Sequence, residues 1–195
     1  MSRPAFSLVL ATRNAHKLRE FERLLPEIEV VPLPDGVDLP PETGQTFAQN
    51  ALGKARAAAA ATGAAAIGDD SGIEAEALDG RPGIHSARFA GPDADDAANL
   101  AKLRALAPAG SRLRYVCALA HVTPGGDERV FLGECRGTLA AGPRGHHGFG
   151  YDPVFCVRSD AGEVRTMAEL DDAEKDAVSH RGSAARALRG WLTGG

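Results

Sequence analysis

The chain has 195 residues, 44% of them hydrophobic, which is enough for one domain or for one domain with two lobes around a sizeable core. Its formal net charge of -4 argues against a polyanion-binding surface and so against a nucleic-acid polymer as partner, while leaving room for a small phosphorylated ligand. Three widely spaced cysteines, Cys117, Cys135 and Cys156, form no C-x-x-C pair, so neither a disulfide framework nor a zinc site is expected.

The first apolar run, Phe6 to Ala11, reads as a buried strand and is too short for a signal sequence. No segment has the length to span a membrane, so a soluble, cytoplasmic protein is expected. Thr12 to Lys17 follows as a loop. Leu18, Phe21, Leu24 and Leu25 then recur at helical spacing up to Pro26. Ile28 to Leu33 is a second strand, and Pro32, Pro34, Pro40 and Pro41 make the next stretch an extended loop. Thr46 and Gln49 form a capping box that opens a helix to about Thr62, with Gly63 past its end. Asn50 and Lys54, four apart, share one face of it.

Ala64 to Gly68 reads as a strand ending at Asp69 and Asp70, and Ile73 to Ala77 as a separate, half-exposed strand. A helix is predicted from Asp93 to Leu106. Strands follow at Leu113 to Val122 and Arg129 to Leu139, joined as a hairpin by Pro124-Gly125-Gly126-Asp127 that brings Cys117 near Cys135. Gly142 to Gly150 is a loop and Asp152 to Val157 a strand. Helix resumes near Ala173, breaks at Gly182 and runs to Leu192. Helices mixed with strands give an α/β class, the hairpin adding antiparallel character.

Several segments carry candidate chemistry. Adjacent Asp69 and Asp70, followed by Ser71 and Gly72, read equally as a divalent-cation site and as an Asp-rich turn. The Thr12–Lys17 junction reads as an anion-binding helix start or as an ordinary cap with a surface lysine. It lacks the spacing of a P-loop. Glu42, in an otherwise apolar and Pro-rich loop, is either a metal ligand or a solvated acid. Only four lysines occur, and three of them, Lys17, Lys54 and Lys175, fall in these segments, as compact phosphate-binding charges would. Gly145 to Pro153 packs glycines around aromatics, as a base-stacking platform or as a structural turn. Adjacent His146 and His147 lack a helical ligand spacing. Ser179-His180-Arg181-Gly182 lacks the G-x-S-x-G elbow, which excludes the tempting catalytic triad.

Assembled in order, these segments closely resemble the inosine triphosphate pyrophosphatase family, house-cleaning enzymes for non-canonical purine nucleoside triphosphates. The resemblance runs through Ala11–Glu20, Glu42-Thr43-Gly44, Thr46-Phe47, Asn50-Ala51, Lys54-Ala55, Asp69-Asp70-Ser71-Gly72, Pro82-Gly83-Ile84, Ser86-Ala87-Arg88, Gly148 to Pro153, Glu174-Lys175 and Ser179 to Gly182. It implies a single domain over residues 1–195, an elongated mixed-sheet α/β fold of two lobes with a central active-site cleft, and usually a homodimer. It implies Mg²⁺-dependent hydrolysis between the α and β phosphates of ITP, dITP or XTP. By the resemblance, Thr12, Arg13, Asn14, Ala15, His16, Lys17 and Lys54 would hold the triphosphate. Glu42 and Asp70 would hold Mg²⁺ with Asp69 nearby, and Asp70 would be the catalytic proton acceptor. Ser71 would touch substrate and Phe149 would stack on the base. Gly150 and Tyr151 would bind substrate beside it, and Asp152, Lys175, His180 and Arg181 would read the base edge. Two departures stand out. Arg13 replaces a common Gly, as an added phosphate contact or a solvent-facing side chain, and Asp176 follows Lys175 where Asn is common. A pyrophosphatase for other modified nucleotides and a non-catalytic nucleotide-binding protein are the competing readings. The intact set of Glu42, Asp69, Asp70 and lysines argues against the second.

Overall fold

The computed structural model describes residues 6–159 and 162–194. Its first half repeats a strand–helix rhythm: β1 Phe6–Leu10, α1 Ala15–Leu24, β2 Ile28–Pro32, α2 Phe47–Thr62 and β3 Ala66–Ala75. β1 pairs in parallel with both β2 and β3, which requires the helical crossovers that the sequence supplies. The second half holds α3 Asp96–Leu106, β4 Arg112–Val122, β5 Glu128–Leu139, β6 Phe155–Arg158, β7 Val164–Thr166, α4 Asp172–Val178 and α5 His180–Leu192. The strand order is β2-β1-β3-β4-β5-β6-β7, with β5–β6 and β6–β7 antiparallel. The fold is therefore a mixed-sheet α/β fold, as expected.

Local chemistry sets the helix ends. Asn14 caps α1, its Oδ1 accepting from the backbone N–H groups of His16 and Lys17. Thr46 Oγ1 accepts from Gln49 N, but Gln49 Oε1 reaches Gln45 N rather than the cap residue, so the predicted box closes one residue early. Gly63, in the left-handed region at φ 65°, ends α2. Asp95 caps α3, two residues after the predicted start.

Chain contacts divide the molecule into two compact units. The first comprises Met1–Asp70, Cys117–Gly133 and Arg181–Gly195. Its core joins Leu8, Leu10, Phe21, Leu25, Ile67, Leu119 and Leu188. The second comprises Ser71–Val116 and Glu134–His180, around Ile73, Leu103, Tyr115, Phe155 and Met167. Cys117 packs in the first core and Cys135 in the second; all three cysteines are free thiols.

The structure corrects several sequence boundaries. His16 and Lys17 stand in the first turn of α1 rather than in a loop. The break between α4 and α5 is at Ser179, and Gly182 lies inside α5. Only Phe155 onward is strand where Asp152 to Val157 was expected, because Asp152–Val154 forms a 3₁₀ turn. The short β7 carries no pattern of its own and exists by pairing with β6.

The largest correction concerns β3. It does not stop at the two aspartates but continues through them as one ten-residue strand to Ala75. Gly68 explains the neighbouring contact. A Cβ there would collide with the backbone of Ala51 and Ala55 in α2. This close approach brings the Asn50–Lys54 face of α2 onto β3, two residues from Asp70 and on its side of the strand.

Candidate functional site

Successive side chains of a strand leave on opposite faces, so Asp69 and Asp70 enter different surroundings. Both are buried, Asp69 completely. Asp70 meets α2: its Oδ2 accepts from Asn50 Nδ2 at 3.0 Å and its Oδ1 lies 3.6 Å from Lys54 Nζ. Lys54 also binds Glu42 Oε1 at 2.7 Å, which fixes the otherwise irregular Pro-rich loop at this point. Asn50 holds that loop too, accepting from Gly44 N at 2.8 Å.

One ammonium is thus shared by two carboxylates. Burial pushes the Asp70 carboxyl above its ordinary range, and repulsion from Glu42 adds to this, while Lys54 and the Asn50 bond only partly oppose it. Burial would lower Lys54, but the surrounding carboxylates Asp70, Glu42 and Asp69 outweigh it and hold the ammonium protonated. Glu42, Lys54 and Asp70 thus form one charged cluster.

Asp69 sits in a balanced network instead. Its Oδ2 lies 2.5 Å from Lys17 Nζ and 3.6 Å from Arg181 Nε, and its Oδ1 accepts from the Cys117 thiol at 3.1 Å. Arg181 Nη1 bonds Glu20 Oε2 at 3.1 Å. Burial alone would raise Asp69, but Lys17 and Arg181 hold it well below the usual carboxylate range. Burial, with Asp69 beside it, pushes the Cys117 thiol up, so it serves as a donor and not as a nucleophile.

The remaining phosphate-loop residues are distributed as follows. Thr12 Oγ1 accepts from Asn14 N, and His16 Nδ1 accepts from Arg19 at 2.9 Å. Ala15 opens α1. Arg13 is engaged with the backbone of the loop after β2. Its guanidinium donates to the carbonyls of Leu33 at 2.7 Å and of Pro34 and Val37 at 2.8 Å, holding the start of the loop that carries Glu42. Arg13→Ala should therefore lower stability by roughly 1–2 kcal/mol, since each such bond to a charged donor contributes modestly when half-exposed. A wild-type denaturant midpoint for that variant would remove this role.

The second unit contains a separate constellation. Asp152 is buried. Its Oδ2 accepts from Lys175 Nζ at 2.8 Å and from Phe149 N at 3.0 Å, and its Oδ1 from Tyr115 OH at 3.1 Å. Lys175 Nζ lies 5.3 Å from the centre of the half-buried Phe149 ring. His180, also buried, stacks on Tyr115 with centroids 4.6 Å apart. Glycine is needed at position 148, where φ is 75° and a Cβ would strike Asp152 and Lys175. Two further loop residues are structurally engaged: Tyr151 OH donates to Ser86 O at 2.8 Å, and Gly150 N to Asp96 Oδ2 at 2.8 Å. Ser71, half-buried, is the first residue of this unit after Asp70.

Thus the structure joins Glu42, Lys54 and Asp70 in one cluster, Lys17, Asp69 and Arg181 in a second, and Phe149, Asp152 and Lys175 in a third. It sets Arg181 among Glu20 and Asp69. Four participants were not singled out from the sequence as site residues: Asn50, Glu20, Cys117 and Tyr115. Asn50 and Glu20 carried a usable signal, as polar residues one helical turn from Lys54 and Lys17. Cys117 and Tyr115 read only as core.

The model of the Ham1 family matches residues 8–191. A dITP/XTP pyrophosphatase of Frankia alni is 50% identical over 194 residues, covering 93% of this chain and 94% of the relative. One of Streptomyces coelicolor is 47% identical over 191 residues, with 93% and 94% covered. Among solved structures, a HAM1 protein from Coxiella burnetii superposes with a TM-score of 0.85 at 40% identity, covering 97% of this chain and all of that one. The Staphylococcus aureus Ham1 protein gives 0.83 at 38% identity, with 96% and 98% covered. Matched along nearly its whole length in both sequence and fold, the chain belongs to the Ham1 family.

Proposed function

We propose that this chain hydrolyses non-canonical purine nucleoside triphosphates, dITP, ITP and XTP, between the α and β phosphates, releasing the monophosphate and pyrophosphate. The observation that carries the reading is the cluster of half-buried Glu42 with buried Asp70 and Lys54, beside a second, lysine- and arginine-bearing network. The names of the 47–50% identical relatives support the same reaction and substrates.

The cluster suits Mg²⁺. Two carboxylates are the protein contribution that Mg²⁺ commonly takes, the rest of its octahedral shell coming from water and substrate phosphates. Among the described residues no group of three or more His, Cys, Asp and Glu side chains gathers as a metal cage, so such an ion would rest on Glu42, Asp70 and the phosphates. When bound, it would neutralise phosphate charge and polarise the phosphorus centre. Asp69 is assigned away from the ion, because Lys17 and Arg181 already balance it.

The chain's own residues supply the rest. Asp70, raised by burial, is a better base than a surface carboxylate and would orient the attacking water and accept its proton. Lys54, kept charged, would turn from carboxylate to phosphate as substrate enters, and Lys17 would add the second compact charge, held in place by Asp69. No covalent nucleophile is required, since positioning and charge neutralisation dominate phosphoryl chemistry. Phe149 would stack on the base, with Asp152, Lys175 and His180 reading its edge. Protein donors that bond the 6-oxo oxygen, which accepts, would be left unpaired by adenine, whose 6-amino group donates, a basis for discrimination. We assign Arg181 to the Asp69 network and Arg13 to the loop, rather than to direct base and phosphate contact. Phe149→Ala should raise KM about tenfold or more and change kcat less, as loss of one stacked ring does; an unchanged KM would count against stacking.

The proposal extends to context. Residues 1–195 are read as a single domain, since β3, β4 and β5 each contribute residues to both units. A homodimer acting on free nucleotides in the cytoplasm completes the reading; among the described residues no helix is long and apolar enough to cross a membrane. The deciding experiment is pyrophosphate release from dITP, ITP, XTP, ATP, GTP and CTP, with Mg²⁺ and with chelator. Rapid Mg²⁺-dependent release from the first three alone is expected. Equal rates for all six would overturn the base assignment, and no release from any would overturn the reaction.

A further inference from the structure

Tyr115 lies buried in β4, among core residues. Its contacts say more. The ring stacks on Phe155, with centroids 4.2 Å apart and planes 23° apart, and on His180, at 4.6 Å and 12°. Its hydroxyl donates to Asp152 Oδ1 at 3.1 Å. Packing alone would be served equally by Phe, and a buried hydroxyl is tolerated only with a partner. Here the partner is a buried carboxyl whose other oxygen receives Lys175 Nζ and the Phe149 backbone N–H.

We propose that Tyr115 is the positioning residue of base recognition, one rigid side chain that sets the carboxyl of Asp152 through its hydroxyl and the imidazole plane of His180 through its ring. This rests on the reading of Phe149, Asp152, Lys175 and His180 as the base site. Tyr115 itself touches no substrate. With Oδ1 held by Tyr115 and Oδ2 by two further donors, the Asp152 carboxyl cannot rotate, so its acceptor direction is fixed before a nucleotide arrives. Loss of the hydroxyl releases Oδ1 and leaves the carboxyl held through Oδ2 alone. Loss of the ring also frees His180.

The test is a kinetic cycle on the full chain with dITP and dATP, using Tyr115→Phe, Tyr115→Leu, Asp152→Asn and the double variant Tyr115→Phe/Asp152→Asn, each with its melting temperature. Tyr115→Phe should raise KM for dITP about tenfold, the scale of one hydrogen bond to a carboxylate, with kcat within about twofold. Tyr115→Leu should raise KM further and narrow the preference for dITP over dATP. On the Asp152→Asn background Tyr115→Phe should add little, because both act through one carboxyl. A Tyr115→Phe variant with wild-type KM beside an impaired Asp152→Asn overturns this inference alone, as do multiplicative effects in the cycle. A lowered melting temperature and kcat with KM unmoved would mark Tyr115 as structural and overturn it too. Asp152→Asn with wild-type KM and preference overturns the base-site reading, and this inference with it.

Discussion

Asp70→Asn is expected to reduce kcat by about 10²–10⁴-fold, the range that a positioned acid or base contributes, while leaving the melting temperature unchanged or higher. The stability half follows from the sign of the shift. Burial and Glu42 raise the carboxyl in the folded chain above its unfolded value, so the folded state binds this proton more readily. Ionising Asp70 therefore works against folding, and increasingly so as pH rises through the folded pKa. Asparagine removes that charge and still offers Asn50 Nδ2 an amide oxygen, and Lys54 keeps Glu42. Measuring kcat and the melting curve of the variant at neutral pH checks both halves. Near-normal turnover would remove Asp70 from the mechanism, and a large fall in melting temperature would contradict the account of its burial.

The adjacent residue should behave in the opposite way. Asp69→Asn leaves Lys17, Arg181 and Cys117 facing a neutral amide in a buried site. Removing one member of a buried ion network costs about 3–5 kcal/mol, which for a chain of this size lowers the melting temperature on the order of 10 °C. The pH dependence has a definite sign. The folded pKa of Asp69 is depressed, so its stabilisation is complete above the unfolded value near 4 and is lost as pH falls below it. The gap between wild type and Asp69→Asn should thus be full at neutral pH and narrow in acid. Activity should fall less than for Asp70→Asn, because Asp69 acts by holding Lys17. A gap that widened in acid, or a variant as stable as wild type, would sink the network argument.

These contrasting expectations for neighbouring residues depend on β3 running unbroken through Gly68, Asp69 and Asp70. Asp and Gly are poor strand residues, and local propensity therefore placed an end there. Burial with partners overrode propensity: each aspartate finds cations and donors that no turn would provide. The same override explains Arg13. Its neighbours in sequence suggested phosphate or solvent, but three carbonyls of the loop after β2 lie within reach.

The sequence by itself determined the local and the ordered. Asn14, Thr46 and Gly63 set helix ends through bonds within a few residues, and alternating apolar runs set most strands. The ordered acids, lysines and glycines sufficed to place the chain in its family, because such motifs are linear. The tertiary structure alone decided which side chains meet. Arg181 reaches Glu20 across 161 residues, Cys117 reaches Asp69 across 48, and Tyr115 reaches Asp152 across 37. Such pairings depend on strand order, on which face a side chain leaves, and on how closely α2 rides over Gly68, and none of these is encoded within a window of neighbouring residues.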